Sequence, residues 1–190
     1  MPVPTVTTPA GSLAERVRQA LARQDSQPVA APAAAPGKPP CLMLDVSGSM
    51  AEDCEPGRAK IDALRDLVAG LKADTIYAFD HRVTLTTARA IPDPGGATIM
   101  AGAFCRARKD GHLSAVLITD GLPTDPEADV LRAAAGIHLD IFYVGPAPKP
   151  AFLDRLAAAC RGRAHQANLR KQAQPQLQQR IRGLLVAPLS

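Results

Sequence analysis

The sequence predicts an α/β domain built on a doubly wound, mostly parallel sheet, with helices on both faces and one antiparallel edge strand. From residue 41 onward, short apolar runs typical of buried strands alternate with longer amphipathic stretches typical of helices. A short alternating segment also follows the second apolar run closely, as an antiparallel edge strand would. Alternation of this kind joins parallel strands through helices that cover both faces of the sheet.

The individual elements follow from the hydrophobic pattern of each segment. Inner strands are predicted by four apolar runs, at residues 41–46, 75–80, 114–119 and 139–144. The edge strand is predicted at residues 82–87, where apolar and polar residues alternate. Helices are predicted by four periodic stretches, at residues 58–73, 98–108, 125–135 and 149–160.

The chain of 190 residues divides into three predicted segments. Residues 1–25 predict a helical extension, because Ser12 and Glu15 form a capping-box pattern ahead of apolar residues spaced four apart. Residues 26–40 are rich in Ala and Pro and cannot bury a core, which is typical of an extended linker. Residues 41–190 predict one domain of ordinary size, about 150 residues, that includes a basic C-terminal helix.

The net charge of +4 and the isoelectric point near 9.1 conceal an uneven distribution. Residues 1–154 carry 15 basic and 18 acidic side chains, a net charge of −3, whereas residues 155–190 carry seven basic and none acidic, a net charge of +7. The basic segment contains no aromatic residue that could stack on a base, so we expect no nucleic-acid partner. A helix packed on the domain, or a docking surface for an acidic partner, is the favoured interpretation.

Cysteine usage and hydropathy indicate the cellular compartment. The first residues lack a basic region followed by an apolar run, and no apolar stretch approaches the roughly 20 residues that cross a bilayer. The four cysteines lie far apart and form no C-x-x-C pair, which argues against a zinc knuckle or a redox dithiol: Cys41, Cys54, Cys105 and Cys160. We therefore expect a cytoplasmic protein without a membrane partner.

Candidate ligands for a cation fall where the predicted strands end, the edge at which open α/β sheets bind ligands. Asp45, Ser47 and Ser49 alternate as the chain leaves the first strand, so their side chains point to one side. Asp120 follows a second buried strand, and Thr98 follows a pair of glycines at the entry to a helix. Carboxylates and hydroxyls are hard ligands that favour Mg²⁺ or Mn²⁺, with Ca²⁺ as a further option, over zinc or copper.

These segments together resemble a known family. The D-x-S-x-S at residues 45–49, the threonine after the glycine pair and the T-D-G at residues 119–121 look like the von Willebrand factor A domain, a Rossmann-like fold, with an intact metal-ion-dependent adhesion site. The resemblance runs from about residue 41 to the final helix. It implies that Ser47 and Ser49 bind the metal directly, Thr98 directly or through water, and Asp45 and Asp120 largely through bound waters.

The resemblance also implies a function. A vacant coordination position on the metal would accept an Asp or Glu carboxylate from a partner protein, and the metal would be essential for that binding. The absence of a secretion signal and of a disulfide pair favours the intracellular bacterial or phage type of the family. For that type, the resemblance implies a partner in a multiprotein complex, for example an AAA+ ATPase. We expect a binding module and not an enzyme.

Two alternatives stay open at this stage. The chain could be a structural component of a larger particle, such as a phage or a secretion machine, in which the site is occupied internally or unused. A metal-dependent hydrolase is a weaker alternative, because no D-x-D, G-x-S-x-G or phosphate-binding loop is present and the histidines are unpaired. Aspartates and serines also commonly fill turns and caps, and we interpret Asp80, Asp93 and Asp125 as solvated turn residues.

Overall fold

A computed structural model describes residues 38–186 of the chain. The predicted helical extension at residues 1–25 and most of the predicted linker lie outside these residues. The described strands are β1 (Cys41–Asp45), β2 (Asp53–Glu55), β3 (Arg58–Ala59), β4 (Ile76–Phe79), β5 (Val83–Thr86), β6 (Ser114–Thr119), β7 (His138–Tyr143) and β8 (Ala164–Gln166). The helices are α1 (Lys60–Ala69), α2 (Met100–Lys109), α3 (Glu127–Ala134), α4 (Ala151–Ala159) and α5 (Gln174–Val186).

Six strands form one twisted sheet in the order β5-β4-β1-β6-β7-β8. Every neighbouring pair is parallel except β4 and β5, which form an antiparallel pair at the edge of the sheet. Because β1 lies in the middle, the chain moves to one side of it for β4 and to the other side for β6. The carboxyl ends of β1 and β6 therefore lie next to each other, at the position where ligands bind in such sheets.

Each face of the sheet carries its own hydrophobic core. In β1, Cys41 and Met43 face the side covered by α2, α3 and α4, whereas Leu42 and Leu44 face the side covered by α1 and α5. All five residues of β1 are buried, as expected for a strand with helices on both sides. The predicted fold class, a doubly wound α/β sheet with one antiparallel edge strand, is confirmed.

The C-terminal helix α5 contacts the domain through two kinds of side chain. Leu177, Ile181 and Leu185, spaced four apart, are buried in the core under α1. Beside them, the side-chain amides of Gln174 and Gln178 donate hydrogen bonds of 2.8 and 3.0 Å to backbone carbonyls of α1. These two glutamines thus bind the neighbouring helix.

The structure contains elements that the sequence pattern missed. Strands β2 and β3 form a small antiparallel hairpin, turned at Gly57 with a φ of +72°, and this hairpin takes up the first two residues of the predicted helix 58–73. Helix α1 then ends four residues earlier than predicted, in a tightened last turn. Strand β8 is the other addition, at three residues. Within residues 38–186, no helix combines the length and the apolarity needed to cross a membrane.

Candidate metal centre

The first candidate ligands lie where β1 ends. Asp45 is the last residue of β1, and Ser49 lies in the 3-10 turn that follows (Gly48–Ala51). Asp45 and Ser47 are buried, while Ser49 is half-buried. The backbone N–H of Ser47 donates a 2.9 Å hydrogen bond to Oδ1 of Asp45, and the two serine Oγ atoms lie 3.3 Å apart. The carboxylate therefore shapes the turn, and the turn places two hydroxyls side by side.

The end of β6 completes this arrangement. Thr119 Oγ1 donates a 2.6 Å hydrogen bond to Oδ2 of Asp45, so that both oxygens of this carboxylate have donors. Asp120 follows directly and accepts a 2.7 Å hydrogen bond from Ser49 Oγ at its Oδ1. Four of the five predicted ligands are thus brought together, linked by hydrogen bonds from β1 to β6: Asp45, Ser47, Ser49 and Asp120.

The fifth predicted ligand, Thr98, lies in the loop before α2. This loop is fastened to the first one, because Gly95 N donates to Val46 O at 2.9 Å and Gly48 N donates to Gly96 O at 3.2 Å. Thr98 is buried, and within residues 38–186 its hydroxyl makes no hydrogen bond; its backbone carbonyl accepts two from Thr124. Its backbone is held by Thr124, while the loop in which it lies is held to the first loop through Gly95 and Gly96.

Gly96, the second of the two glycines before Thr98, is required for a steric reason. Gly96 has a φ of +67°, and a Cβ atom there would collide with the His81 ring. Only glycine adopts this conformation without strain. Gly96 therefore lies where the loop before α2 passes close to the loop after β4.

Lys60 belongs to the centre, although it is not among the residues that the sequence pattern indicates. Its side chain is only 3% exposed, and its Nζ donates hydrogen bonds to Asp120 Oδ2 at 2.7 Å, to Glu52 Oε2 at 2.8 Å and to the Ser49 carbonyl at 3.2 Å. Lys60 is the first residue of α1, where a positive charge opposes the helix dipole. The sequence did not show this position, because the predicted helix begins at residue 58 and places Arg58, another cation, ahead of Lys60.

Burial and neighbouring charges shift the pKa values of two side chains at the centre. Burial raises the pKa of the Asp45 carboxyl above its usual range, and the hydrogen bonds from Ser47 and Thr119 oppose this shift. Burial disfavours the ammonium of Lys60, but the carboxylates of Asp120 and Glu52 outweigh it and raise the pKa of Lys60. Lys60 is therefore charged at neutral pH, and the Asp45 carboxylate would gain from an additional positive charge nearby.

The donor set fits a magnesium-type ion. Adjacent ligands in an octahedral Mg²⁺ site lie about 3 Å apart, close to the 3.3 Å between Ser47 Oγ and Ser49 Oγ. Ser49 directs its proton to Asp120, so Ser47 is the donor in the contact between the two hydroxyls, and one lone pair of the Ser49 oxygen remains available. Within residues 38–186, no three His, Cys, Asp or Glu side chains come together as a metal site. Any ion here would thus depend on the hydroxyls.

Two further residues lie near Asp120, one along the chain and one in space. Leu122, two residues after Asp120, is 48% exposed. Gly145 follows β7, and a Cβ atom there would collide with the Tyr143 hydroxyl and lie 2.7 Å from the Asp120 carbonyl oxygen. The buried Tyr143 therefore lies beside the backbone of a candidate ligand.

The three aspartates interpreted as solvated turn residues differ from one another. Asp80 binds the N–H of Arg82 in its own turn, and the exposed Asp93 pairs with Arg65. Asp125 has a larger role, because its carboxylate accepts hydrogen bonds from the first two N–H groups of α2, at 3.2 and 2.7 Å. It thus caps the helix that begins two residues after Thr98.

Comparison with known proteins gave matches among solved structures only. No protein-family model and no curated protein matches the sequence. The chain is similar to a von Willebrand factor type A protein from Catenulispora acidiphila, with a TM-score of 0.60, 17% identity and coverage of 76% of this chain. It is also similar to the VWA domain of SpRpn10, with a TM-score of 0.48, 15% identity and coverage of 63% of this chain and 80% of that one.

The match to the Catenulispora acidiphila protein spans 42% of that protein's chain. The likeness at this level of identity concerns the fold. It agrees with the observed strand order, with the antiparallel edge strand and with helices on both faces of the sheet. The chain described by residues 38–186 has the fold of a von Willebrand factor A domain.

Proposed function

We propose that this chain is a metal-dependent protein-binding module, in which a divalent cation captures a carboxylate from a partner. The ion is Mg²⁺ or Mn²⁺, with Ca²⁺ as a further option, and its ligands are Asp45, Ser47, Ser49, Thr98 and Asp120. The observation that carries the proposal is the pair of adjacent serine hydroxyls with two buried carboxylates hydrogen-bonded behind them. The von Willebrand factor A fold, often found in proteins that bind other proteins, supports it.

The arrangement of charges explains how a partner would be captured. Neutral hydroxyls next to the ion leave most of its charge uncompensated, while the carboxylates behind them hold the hydroxyls in place. The bound ion supplies an electrophilic position for an incoming Asp or Glu side chain. The exposed Leu122, two residues after Asp120, offers an apolar contact to the same partner.

The setting of this activity is also part of the proposal. We assign the chain to the intracellular bacterial or phage type, acting in the cytoplasm within a multiprotein assembly. The acidic partner would be an AAA+ ATPase or another component of such a complex. No catalytic step is proposed. If the site serves only to assemble a phage or secretion particle, the partner will bind without the metal.

Metal binding is tested by thermal unfolding of the full chain with and without Mg²⁺ or Mn²⁺. We expect a rise in Tm, because a ligand present at about 100 times its Kd stabilises a fold by about 2.7 kcal/mol. Ser47→Ala should abolish the rise, because it removes one of the two adjacent hydroxyls, and its Tm without metal shows separately what the substitution costs the fold. Asp93→Ala, which removes an exposed carboxylate outside the centre, serves as the control.

Partner capture is tested with the immobilised protein in lysate of the host cell, with Mg²⁺ and with EDTA. The proposal requires at least one protein that is retained with Mg²⁺, lost with EDTA and lost with the Ser47→Ala variant. A set of retained proteins that is the same under all three conditions would contradict metal-dependent capture and would favour the structural role.

A further inference from the structure

A buried lysine occupies one side of the proposed metal centre. The side chains of Lys60 and Asp120 are 3% and 1% exposed, and Nζ lies 2.7 Å from Oδ2. The three N–H bonds of the ammonium have three acceptors, namely Asp120, Glu52 and the Ser49 carbonyl. An ammonium has three donors and no more. Lys60 is therefore fixed in this position by a complete set of hydrogen bonds.

Both oxygens of Asp120 are already engaged. Oδ1 accepts the Ser49 hydroxyl, and Oδ2 accepts the Lys60 ammonium. A carboxylate buried to this degree needs a positive partner, because leaving it uncompensated in the interior is costly. Lys60 supplies that partner without any metal. We propose that Lys60 is a positioning residue that keeps the centre formed in the metal-free protein and weakens its affinity for the metal.

The net charge of the buried groups explains what Lys60 does in the proposed function, on which this inference rests. The centre contains two carboxylates, Asp45 and Asp120, and one ammonium; Glu52 is 65% exposed and is screened by solvent. With a divalent ion, the buried groups sum to a net charge of +1. Without Lys60, the sum is zero. The lysine therefore lowers attraction for the ion but leaves the loaded centre positive toward a partner carboxylate.

The position of Lys60 supports a role in the centre over a role in α1. As the first residue of that helix, an ammonium is electrostatically unfavourable for the helix itself. Its burial also carries a desolvation cost that a surface lysine avoids. Both costs are offset by Asp120 and Glu52, which lie outside α1. A lysine that served only to stabilise α1 would be favoured at the other end of the helix.

The test compares two variants of the full chain by isothermal titration calorimetry with Mn²⁺ alone. Lys60→Met keeps an unbranched side chain that is one atom shorter and removes the charge, and we expect the Kd for Mn²⁺ to fall at least tenfold. Lys60→Arg keeps the charge and should leave the Kd within about threefold of the wild type. Arg58→Met is the matched control, because it removes a nearby cation that pairs with Glu55 and Asp66 instead of Asp120.

Thermal unfolding adds a second readout. We expect Lys60→Met to have a lower Tm than the wild type without metal and a larger increase in Tm when Mn²⁺ is added. If this variant fails to fold, Lys60→Gln takes its place, since it removes the charge and can still donate a hydrogen bond. A neutral variant that folds and binds Mn²⁺ no more tightly than the wild type would overturn the inference.

The two proposals fail in different ways. If the wild type binds Mn²⁺ and the neutral variants bind it equally or more weakly, the role of Lys60 is wrong and the metal centre stands. If the wild type shows no binding but a neutral variant does, Lys60 blocks the site, which supports the inference and contradicts metal-dependent function in the wild type. If neither binds Mn²⁺, both proposals are wrong.

Discussion

The hydroxyl of Thr119 and the carboxylate of Asp45 form a 2.6 Å hydrogen bond between the ends of two neighbouring strands. Both residues are fully buried. Because β1 and β6 run parallel and in register up to Leu44 and Ile118, the next residue of each strand meets the other at the edge of the sheet. The sheet itself therefore orients the first carboxylate of the centre.

Thr119→Val should destabilise the protein by about 1–3 kcal/mol, because it leaves a buried carboxylate oxygen without its donor. Thr119→Ser keeps the hydroxyl and should lose less. Urea unfolding measures both differences. A valine variant as stable as the serine variant would show that this hydrogen bond contributes little.

Asp125→Ala should lower the free energy of unfolding by about 0.5–2 kcal/mol, the usual cost of losing a helix cap. The reason is that Asp125 accepts the N–H groups of Met100 and Ala101 at the start of α2. Since Thr98 lies just before this turn, Mn²⁺ affinity should fall as well. Asp129→Ala, which removes an exposed ion pair with Arg132, should change stability by less than about 0.5 kcal/mol. Equal effects of the two substitutions in urea unfolding would contradict the capping role.

Gly145→Ala should cost about 1–3 kcal/mol of stability, because the added methyl group would collide with Tyr143 and crowd the carbonyl of Asp120. Gly121→Ala is the matched control: it lies next to Asp120 on the other side, and a Cβ atom there has no neighbour within 4 Å. Thermal unfolding separates the two variants. If both unfold at the wild-type temperature, the loop after β7 adapts freely and does not constrain the centre.

Acidification should destabilise the protein in part through His165. Burial, reinforced by the charge of Arg180, lowers the pKa of His165 below its usual value near 6.5. As the pH falls below 6.5, the unfolded chain takes up a proton before the folded one does, so stability decreases until the folded pKa is passed. The difference in unfolding free energy between pH 7.5 and pH 5.5 should be smaller in His165→Gln than in the wild type. An unchanged difference would exclude His165 as the cause.

The central sheet was predictable because its strands are continuous apolar runs. Residues 114–119 were predicted as a strand with the observed bounds, and all six are buried. The hairpin was not predictable in this way, since the strand Asp53–Glu55 is short, polar and partly exposed. Strand β8 was missed for the same reason: its three residues form a strand only because β7 offers a free edge. The hydrophobic pattern of the sequence predicts the buried strands of the core. It does not predict short, partly exposed strands outside the core.

Prediction of the site was limited in a different way. The alternation of Asp45, Ser47 and Ser49 indicated a shared direction, which depends only on local backbone geometry. The contact between Lys60 and Asp120 joins residues 60 positions apart, and no periodicity encodes it. Likewise, Asp125 caps a helix that begins 25 residues before it in the sequence. Contacts of this kind arise from the tertiary fold, so a local sequence pattern does not predict them.

Tyr143, buried beside Gly145 and the Asp120 backbone, makes the centre observable without a label. The chain has no tryptophan and two tyrosines, and the other, Tyr77, is tied to Asp110 by a 2.6 Å hydrogen bond. At wavelengths longer than those absorbed by the four phenylalanines, the near-ultraviolet circular dichroism and the intrinsic emission of this protein therefore arise from two tyrosine rings, one of them next to a proposed ligand. A spectral change on adding Mn²⁺ that disappears in Tyr143→Phe would report occupancy of the centre directly, in the native chain and in real time.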